Sequence, residues 1–481
     1  MGAGRHGGMH RRGVLVSAAL ALAGLLAACS SGGGSGTSAS TRPRPTTTST
    51  TTAPSTATKP ATSGARWTTY DHDAGRSGVA PDGPASPAAV HQIWASPALD
   101  GDVYAQPLVV GDRVVVATEN DTVYALDATN GSVVWSAHVG EPVPGSSLPC
   151  GDVDPVGITG TPVVDADAGR VYAVGMVRPA QHVLFELDLA TGRVVGSTRV
   201  DAPGSNPAVQ NQRAALTLNG GRVYVPFGGR YGDCGDYHGR VVSVDVSAGG
   251  LGATASYLLP TQRAGGFWAP PGATTAPDGS LYLASGNSTS SRDYDYGNSV
   301  VRLSADLGLV DSFAPSDWVA LNSSDTDLGS TSPVVLPSGR VFQVGKSGVG
   351  YLLDASHLGG VGGEVQHATV CNGLAFGGVA VDGTSMYVPC TRGVTEVVVN
   401  GDSIHAGWSA SVNTPGPTIV AGGAVWTVAT GSGDLVALDR ASGRVVASAH
   451  VGSVPSRFTS PAAGGGRVVV AARRTVVAFG D

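Results

Sequence analysis

The sequence predicts an all-β fold: an eight-bladed β-propeller of four-stranded antiparallel blades, closed by an N-terminal strand. The first supporting observation is composition. Of 481 residues, 71 are glycine and only 14% are charged, against roughly 7% glycine and 25% charged residues in an average soluble domain. Long-helix and helical-repeat architectures lean on Ala, Glu, Lys, Leu and Arg. A charged disordered chain would lack the 42% hydrophobic content found here. Many short strands joined by glycine turns remain.

The second observation is a repeat. A small-residue strand is followed by Gly-Arg-Val-Tyr or a relative, then by a strand ending in Leu-Asp, a turn and a fourth strand. The clearest copy runs through Leu108-Val109-Val110, Arg113-Val114-Val115-Val116, Val123-Tyr124-Ala125-Leu126-Asp127 and Val133-Val134-Trp135. The second strand returns at Arg170, Arg222, Ser280, Arg340, Ser385, Ala424 and Arg467, at intervals of 39 to 60 residues. Eight four-stranded units at this period are a propeller signature. No amphipathic helical stretch separates them, which excludes a βαβ reading.

The third observation is a gap. The last repeat stops after its third strand at Gly480-Asp481. Gln92-Ile93-Trp94-Ala95-Ser96 matches the fourth strands Val133-Val134-Trp135-Ser136-Ala137 and Ala406-Gly407-Trp408-Ser409-Ala410. An N-terminal strand is therefore expected to complete the final blade, removing an open edge and tying the termini together.

The segments before the propeller read as an address and a tether. Arg5, Arg11 and Arg12 precede an apolar run from Val14 to Ala28, too short for a membrane span of about 20 residues but suited to an export signal. The run closes with Leu26-Ala27-Ala28-Cys29 and resembles the lipobox of bacterial lipoproteins. That resemblance implies cleavage before Cys29, a lipid on its sulfur, and anchoring at the outer face of the cytoplasmic membrane or in the cell envelope. The plainer alternative is an ordinary signal cleaved after Ala28. Residues 29–65 are a disordered Ser/Thr/Pro/Gly tether by composition, leaving 66–481 as the propeller. The net charge of −7 offers no basic face, so nucleic acid is not an expected partner.

Four cysteines remain beyond the leader. An even number in an oxidising compartment points to two disulfides, paired as Cys150 with Cys234 and Cys371 with Cys390. Cys371 and Cys390 flank one repeat's inner strands, and Cys150 and Cys234 lie in loops before the second and within the third blade.

The Ala-Leu-Asp-x-x-Thr-Gly-x-x-x-Trp pattern of Ala125–Trp135, with its kin at 186–195 and 437–446, resembles the repeats of quinoprotein dehydrogenases that use pyrroloquinoline quinone (PQQ), and of related propellers. The resemblance covers about 66–481 and implies the fold. In the dehydrogenases the quinone lies at one end of the propeller axis, usually with Ca²⁺. Phe267-Trp268-Ala269-Pro270 and Gly286-Asn287 resemble the stretch that floors the quinone and supplies a calcium ligand, so Trp268 is a candidate cofactor platform and Asn287 a candidate metal ligand. Ser324-Asp325-Thr326-Asp327 falls where the family carries its catalytic aspartate, with Asp325 the nearest match. Gly345-Lys346-Ser347-Gly348 resembles the family's basic residue at the quinone oxygens, making Lys346 a candidate. The family's adjacent Cys-Cys cap is missing, and so is its glutamate calcium ligand, for which Asp233 or Asp236 are the available substitutes. No haem motif occurs. The expected function is accordingly a binding or scaffolding module, for a protein or small-molecule partner, as in related propellers of envelope assembly. The alternative is a PQQ- and calcium-dependent dehydrogenase of alcohols or sugars.

Overall fold

The computed structural model describes residues 64–481. The leader, Cys29 and the tether up to residue 63 lie outside the described residues. Eight sheets, each built on four antiparallel strands, form the ring. Blade 1 consists of Leu108–Val110, Arg113–Thr118, Thr122–Asp127 and Val133–His138, from the axis outward. Blades 2 to 7 occupy 163–199, 217–258, 274–314, 334–369, 380–410 and 419–450. Blade 8 takes Ala462–Gly464, Arg467–Ala472 and Thr475–Gly480 from the C-terminus and His91–Ala95 from the N-terminus. The closing strand pairs Gln92 with Phe479, Trp94 with Ala478 and Ala95 with Val477, as the sequence predicts. The single α-helix among the described residues, Trp318–Ser323, lies between blades 4 and 5.

The glycine of the turn and the terminal tryptophan explain one another. The indole Nε1 of Trp94 donates to Ala128 O (3.0 Å), that of Trp135 to Leu189 O (3.0 Å) and that of Trp408 to Arg440 O (3.1 Å). Each tryptophan sits on the outer strand of one blade and clasps the turn of the next. Gly131, at φ 74°, has Trp94 so close that an added Cβ would lie 2.4 Å from the ring. Gly192 and Gly443 meet Trp135 and Trp408 in the same way. Glycine is required there both for its left-handed backbone and for the approach of the ring. Blades 3 and 4 use another tie: Tyr224 Oη donates to Ala305 O (2.8 Å) and Tyr282 Oη to Ala355 O (3.1 Å) in the following blade.

One feature has no repeat signature. Residues 66–82 circle the inside of the ring before the chain reaches the closing strand. Trp67 pairs with Val109 in blade 1, and Thr68 O accepts from Val164 N in blade 2. Thr69 Oγ1 donates to Leu216 O at blade 3, and Ala74 O accepts from Thr275 N in blade 4. Ser77 O accepts from Val381 N in blade 6, and Val79–Ala80 run parallel to Val420–Ala421 in blade 7. Asp82 O then accepts from Gly466 N in blade 8. The buried Arg76 fastens this plug by donating to Thr69, Tyr70 O, Leu216 O, Thr217 and Ala273 O. Seven of the eight blades thus bond to one segment that fills the channel.

Both disulfides form, in the expected pairing. Cys150–Cys234 joins the loop before blade 2 to a loop of blade 3, and Cys371–Cys390 joins the strand ends of blades 5 and 6.

Candidate functional site at the channel mouth

In each blade the segment entering the inner strand and the loop between the second and third strands fall at the same end of the ring. These segments gather a cluster of polar and aromatic side chains over the plug. Its axial position is fixed by contacts across the ring. Trp268, entering blade 4, meets Phe458, entering blade 8, edge to face at 6.2 Å, and Phe458 meets Phe376, entering blade 6, at 6.1 Å.

The structure brings Trp268, Asn287, Asp325 and Lys346 together. Lys346 Nζ lies 5.6 Å from the centre of the Trp268 ring and 2.9 Å from Asp325 Oδ1. Asn287 Nδ2 donates to Asp325 Oδ1 (3.0 Å). The centre of the cluster, however, is Asp327, two residues beyond the position that motif matching selects. Asp327 Oδ2 pairs with Lys346 Nζ, and Asp327 Oδ1 accepts from Asn287 N (2.7 Å). The side chain of Asp325 is 81% exposed and that of Asp327 only 9%. Asp325 lies on the rim and Asp327 inside.

Local structure explains the difference. After the helix, Asp325 takes a left-handed conformation (φ 53°) that turns the chain outward, and the chain re-enters at Asp327, the residue before the 3₁₀ turn Leu328–Ser330. Gly286 makes room for the returning carboxylate: a Cβ there would lie 2.6 Å from Asp327 Oδ1 and 2.8 Å from Trp268 Nε1. Asn298 braces the arrangement, donating to Asn287 Oδ1 (2.8 Å) and accepting from Leu328 N (2.7 Å). Lys346 is fixed from its backbone, whose N–H donates to Asp327 O (2.9 Å).

Burial pushes the Asp327 carboxyl above the usual carboxylate range, with the Lys346 ammonium and the Asn287 N–H pulling against it. For Lys346, burial pulls downward, but the two carboxylates outweigh it and hold the amine above its ordinary value. The result is an ammonium whose charged form the two carboxylates favour, beside a carboxyl whose protonated form burial favours.

Asp233 and Asp236 do not join the cluster through any hydrogen bond or ion pair among the described residues. Asp233 accepts from Tyr237 Oη (2.5 Å) within its own loop, and Asp236 is exposed beside His238.

A flat, anionic quinone needs a ring to lie on, cations at its edge and a base. The half-buried indole of Trp268, with Lys346 at 5.6 Å and Arg213 at 5.9 Å, fits that requirement. The donor set does not fit Ca²⁺, which takes 6–8 oxygens. The Lys346 ammonium already lies between the two carboxylates, and Asn287 Oδ1 is engaged by Asn298. Among the described residues no three acidic, histidine or cysteine side chains form a metal-holding group.

Ring and site together define a propeller of the PQQ alcohol dehydrogenase-like repeat class. Residues 56–325, more than half of the chain, match the family described as outer membrane protein assembly factor BamB, and the chain belongs to that family. The polyvinylalcohol dehydrogenase of Sphingopyxis sp. (strain 113P3) is 26% identical over 338 residues, covering 59% of this chain and 48% of the relative. The chain thus spans about half the length of the curated relative it matches. Among solved structures, the quinohemoprotein alcohol dehydrogenase from Comamonas testosteroni superposes with a TM-score of 0.65 at 16% identity, over 86% of this chain and 81% of that one. BamB from Moraxella catarrhalis gives 0.57 at 14% identity, over 82% and 100%. At these identities the structural likeness concerns the fold.

Proposed function

We propose that the protein is an oxidoreductase that binds PQQ at the mouth of its channel and oxidises alcohols. The supporting observation is the convergence of Trp268, Asn287, Asp327 and Lys346 from blades 4 and 5 and the loop between them. PQQ supplies a two-electron acceptor for conversion of an alcohol to a carbonyl compound. The chain's residues do the rest. Trp268 provides the flat floor, and Lys346 places a fixed positive charge where quinone oxygens gain electron density. Asp327, desolvated beside that charge, is the base positioned to accept the alcohol's hydroxyl proton. Asp325 holds Lys346 from the solvent side. The similarity to a polyvinylalcohol dehydrogenase supports secondary alcohols, including polymeric ones, as the substrate class.

The test is reconstitution of purified protein with PQQ, with and without Ca²⁺, followed by dye reduction on a panel of alcohols that includes poly(vinyl alcohol). Turnover that disappears in Lys346→Ala and Asp327→Asn is expected. Absence of PQQ binding at tens of micromolar would refute the reading.

A second reading follows from the family match: a binding or scaffolding module of the cell envelope. It predicts that Lys346→Ala leaves the biological role intact. In either reading, lipidation at Cys29 would hold the propeller near a membrane. Metabolic labelling with a lipid precursor tests this, and equal labelling of Cys29→Ala would remove the anchor.

A further inference from the structure

Two arginines at the channel mouth belong to no motif of the repeat. Arg213 enters blade 3 and Arg457 enters blade 8. The Arg213 guanidinium lies 4.3 Å from the centre of the Phe458 ring and 5.9 Å from that of Trp268. The Arg457 guanidinium lies 4.8 Å over Phe376. Phe376 and Phe458 meet nearly at right angles, so the two cations flank one aromatic cluster that reaches Trp268.

These arginines touch no counter-charge. Neither side chain makes a hydrogen bond or an ion pair among the described residues. Three arginines that project from the blades do have such partners: Arg170 bonds Glu186 and Asp188, Arg302 bonds Asp278, and Arg340 bonds Asp354 and Asp402. The charges that act on Arg213, from Asp152 and Glu119, do so without contact. A half-buried guanidinium stacked on a ring keeps all its in-plane N–H donors available, and that edge matches a carboxylate bidentately.

We propose that Arg213 and Arg457 form a two-armed clamp for the carboxylates of a planar anionic ligand lying against Trp268. This rests on the PQQ reading for the ligand's identity but not for its charge. The clamp grips the ligand's acidic edge from blades 3 and 8, while Lys346 addresses the redox edge from blade 5.

The experiment is equilibrium binding, followed by tryptophan fluorescence and calorimetry, to the purified full-length protein and to Arg213→Gln, Arg457→Gln and Arg213→Lys. The probes are PQQ, its trimethyl ester and benzene-1,3,5-tricarboxylate. Arg213→Gln is expected to weaken PQQ about 10- to 100-fold, the worth of a charge-assisted hydrogen-bond pair, while leaving the trimethyl ester within about threefold. Arg213→Lys guards against misfolding and should recover part of the loss. Arg457 is exposed, so Arg457→Gln should fold and show a smaller loss of the same sign. If the wild type ignores PQQ but binds the tricarboxylate through Arg213, the clamp stands and the cofactor reading falls. Equal PQQ affinity in the wild type and both glutamine variants, or no binding of either anion, overturns the clamp.

Discussion

The ring divides into two arcs built by different rules. Blades 6, 7, 8, 1 and 2 contain the three tryptophan clasps. Blades 3 to 5 are tied by Tyr224 and Tyr282, and they are interrupted by the 230–239 and 286–299 loops and by the helix at Trp318. Trp268, Asn287, Asp327 and Lys346 all fall in that second arc. Where the repeat is kept, its residues are spent on blade-to-blade packing. Where it lapses, side chains are released toward the axis. A repeat residue of the regular arc, such as a clasp tryptophan, should therefore govern stability alone, and a loop residue released toward the axis should govern ligand binding as well.

The harshest way to break this division is to remove what both arcs share. A chain lacking residues 66–100 loses the plug and the closing strand together and is expected to show no cooperative thermal transition by calorimetry. A melting temperature equal to that of the intact chain would show that neither is needed. Within the regular arc, Trp135→Ala empties the contact with Gly192 and should cost about 4 kcal/mol, while PQQ affinity per folded molecule stays unchanged. In the irregular arc, Lys346→Ala leaves the buried Asp327 without its partner. Chemical denaturation should register a loss of about 3 kcal/mol. Adding Asp327→Asn should return most of that stability without returning ligand binding. If the double variant binds PQQ normally, the pair is structural.

A smaller effect probes an exception inside the regular arc. Asp121 occupies, at φ 52°, the left-handed turn position that Gly348 and Gly433 fill in blades 5 and 7. Its two carboxylate oxygens are buried without hydrogen-bond partners. Burial pushes Asp121 up to about 9 and neighbouring Glu119 up to about 7. Both carboxyls favour the fold when protonated, so this contribution is complete below pH 4 and is lost as pH rises through 7 and then 9. The melting temperature should fall between pH 5 and pH 9. Asp121→Asn, which tolerates the same backbone, should flatten that slope and add about 2 kcal/mol at pH 8. An unchanged slope would mean that Asp121 is ionised at neutral pH.

The two arcs also differ in how much of them can be read from sequence. The clasps are legible because Leu-Asp, a turn glycine and Trp recur at fixed offsets, and the closing strand is found because Trp94 copies Trp135. Trp268, Asn287 and Lys346 are legible as family-like motifs. Asp327 is not, because Asp325 and Asp327 are chemically identical in sequence. Only the left-handed turn at Asp325 and the space left by Gly286 decide which carboxylate enters. The plug is invisible for a different reason: its partners are scattered over seven blades, one or two groups to a blade, so no pattern within 66–82 announces them. Arg213, Phe376, Phe458 and Arg457 share one faint signal, in that each falls just ahead of an inner strand.

The plug and closing strand impose a timetable on synthesis. Ser86 N–H is held by the carboxylate of Asp481, 395 residues later. At about 5–20 residues per second, the earliest folded residues wait on the order of 20–80 s before their last partners exist. Blades 1 to 7 can each form a sheet in that interval, but the channel through their centre cannot be finished. A truncated product missing only its final blade would therefore expose both the unpaired Trp94 strand and the loose plug, two features by which a quality-control protease could tell an incomplete chain from a finished one.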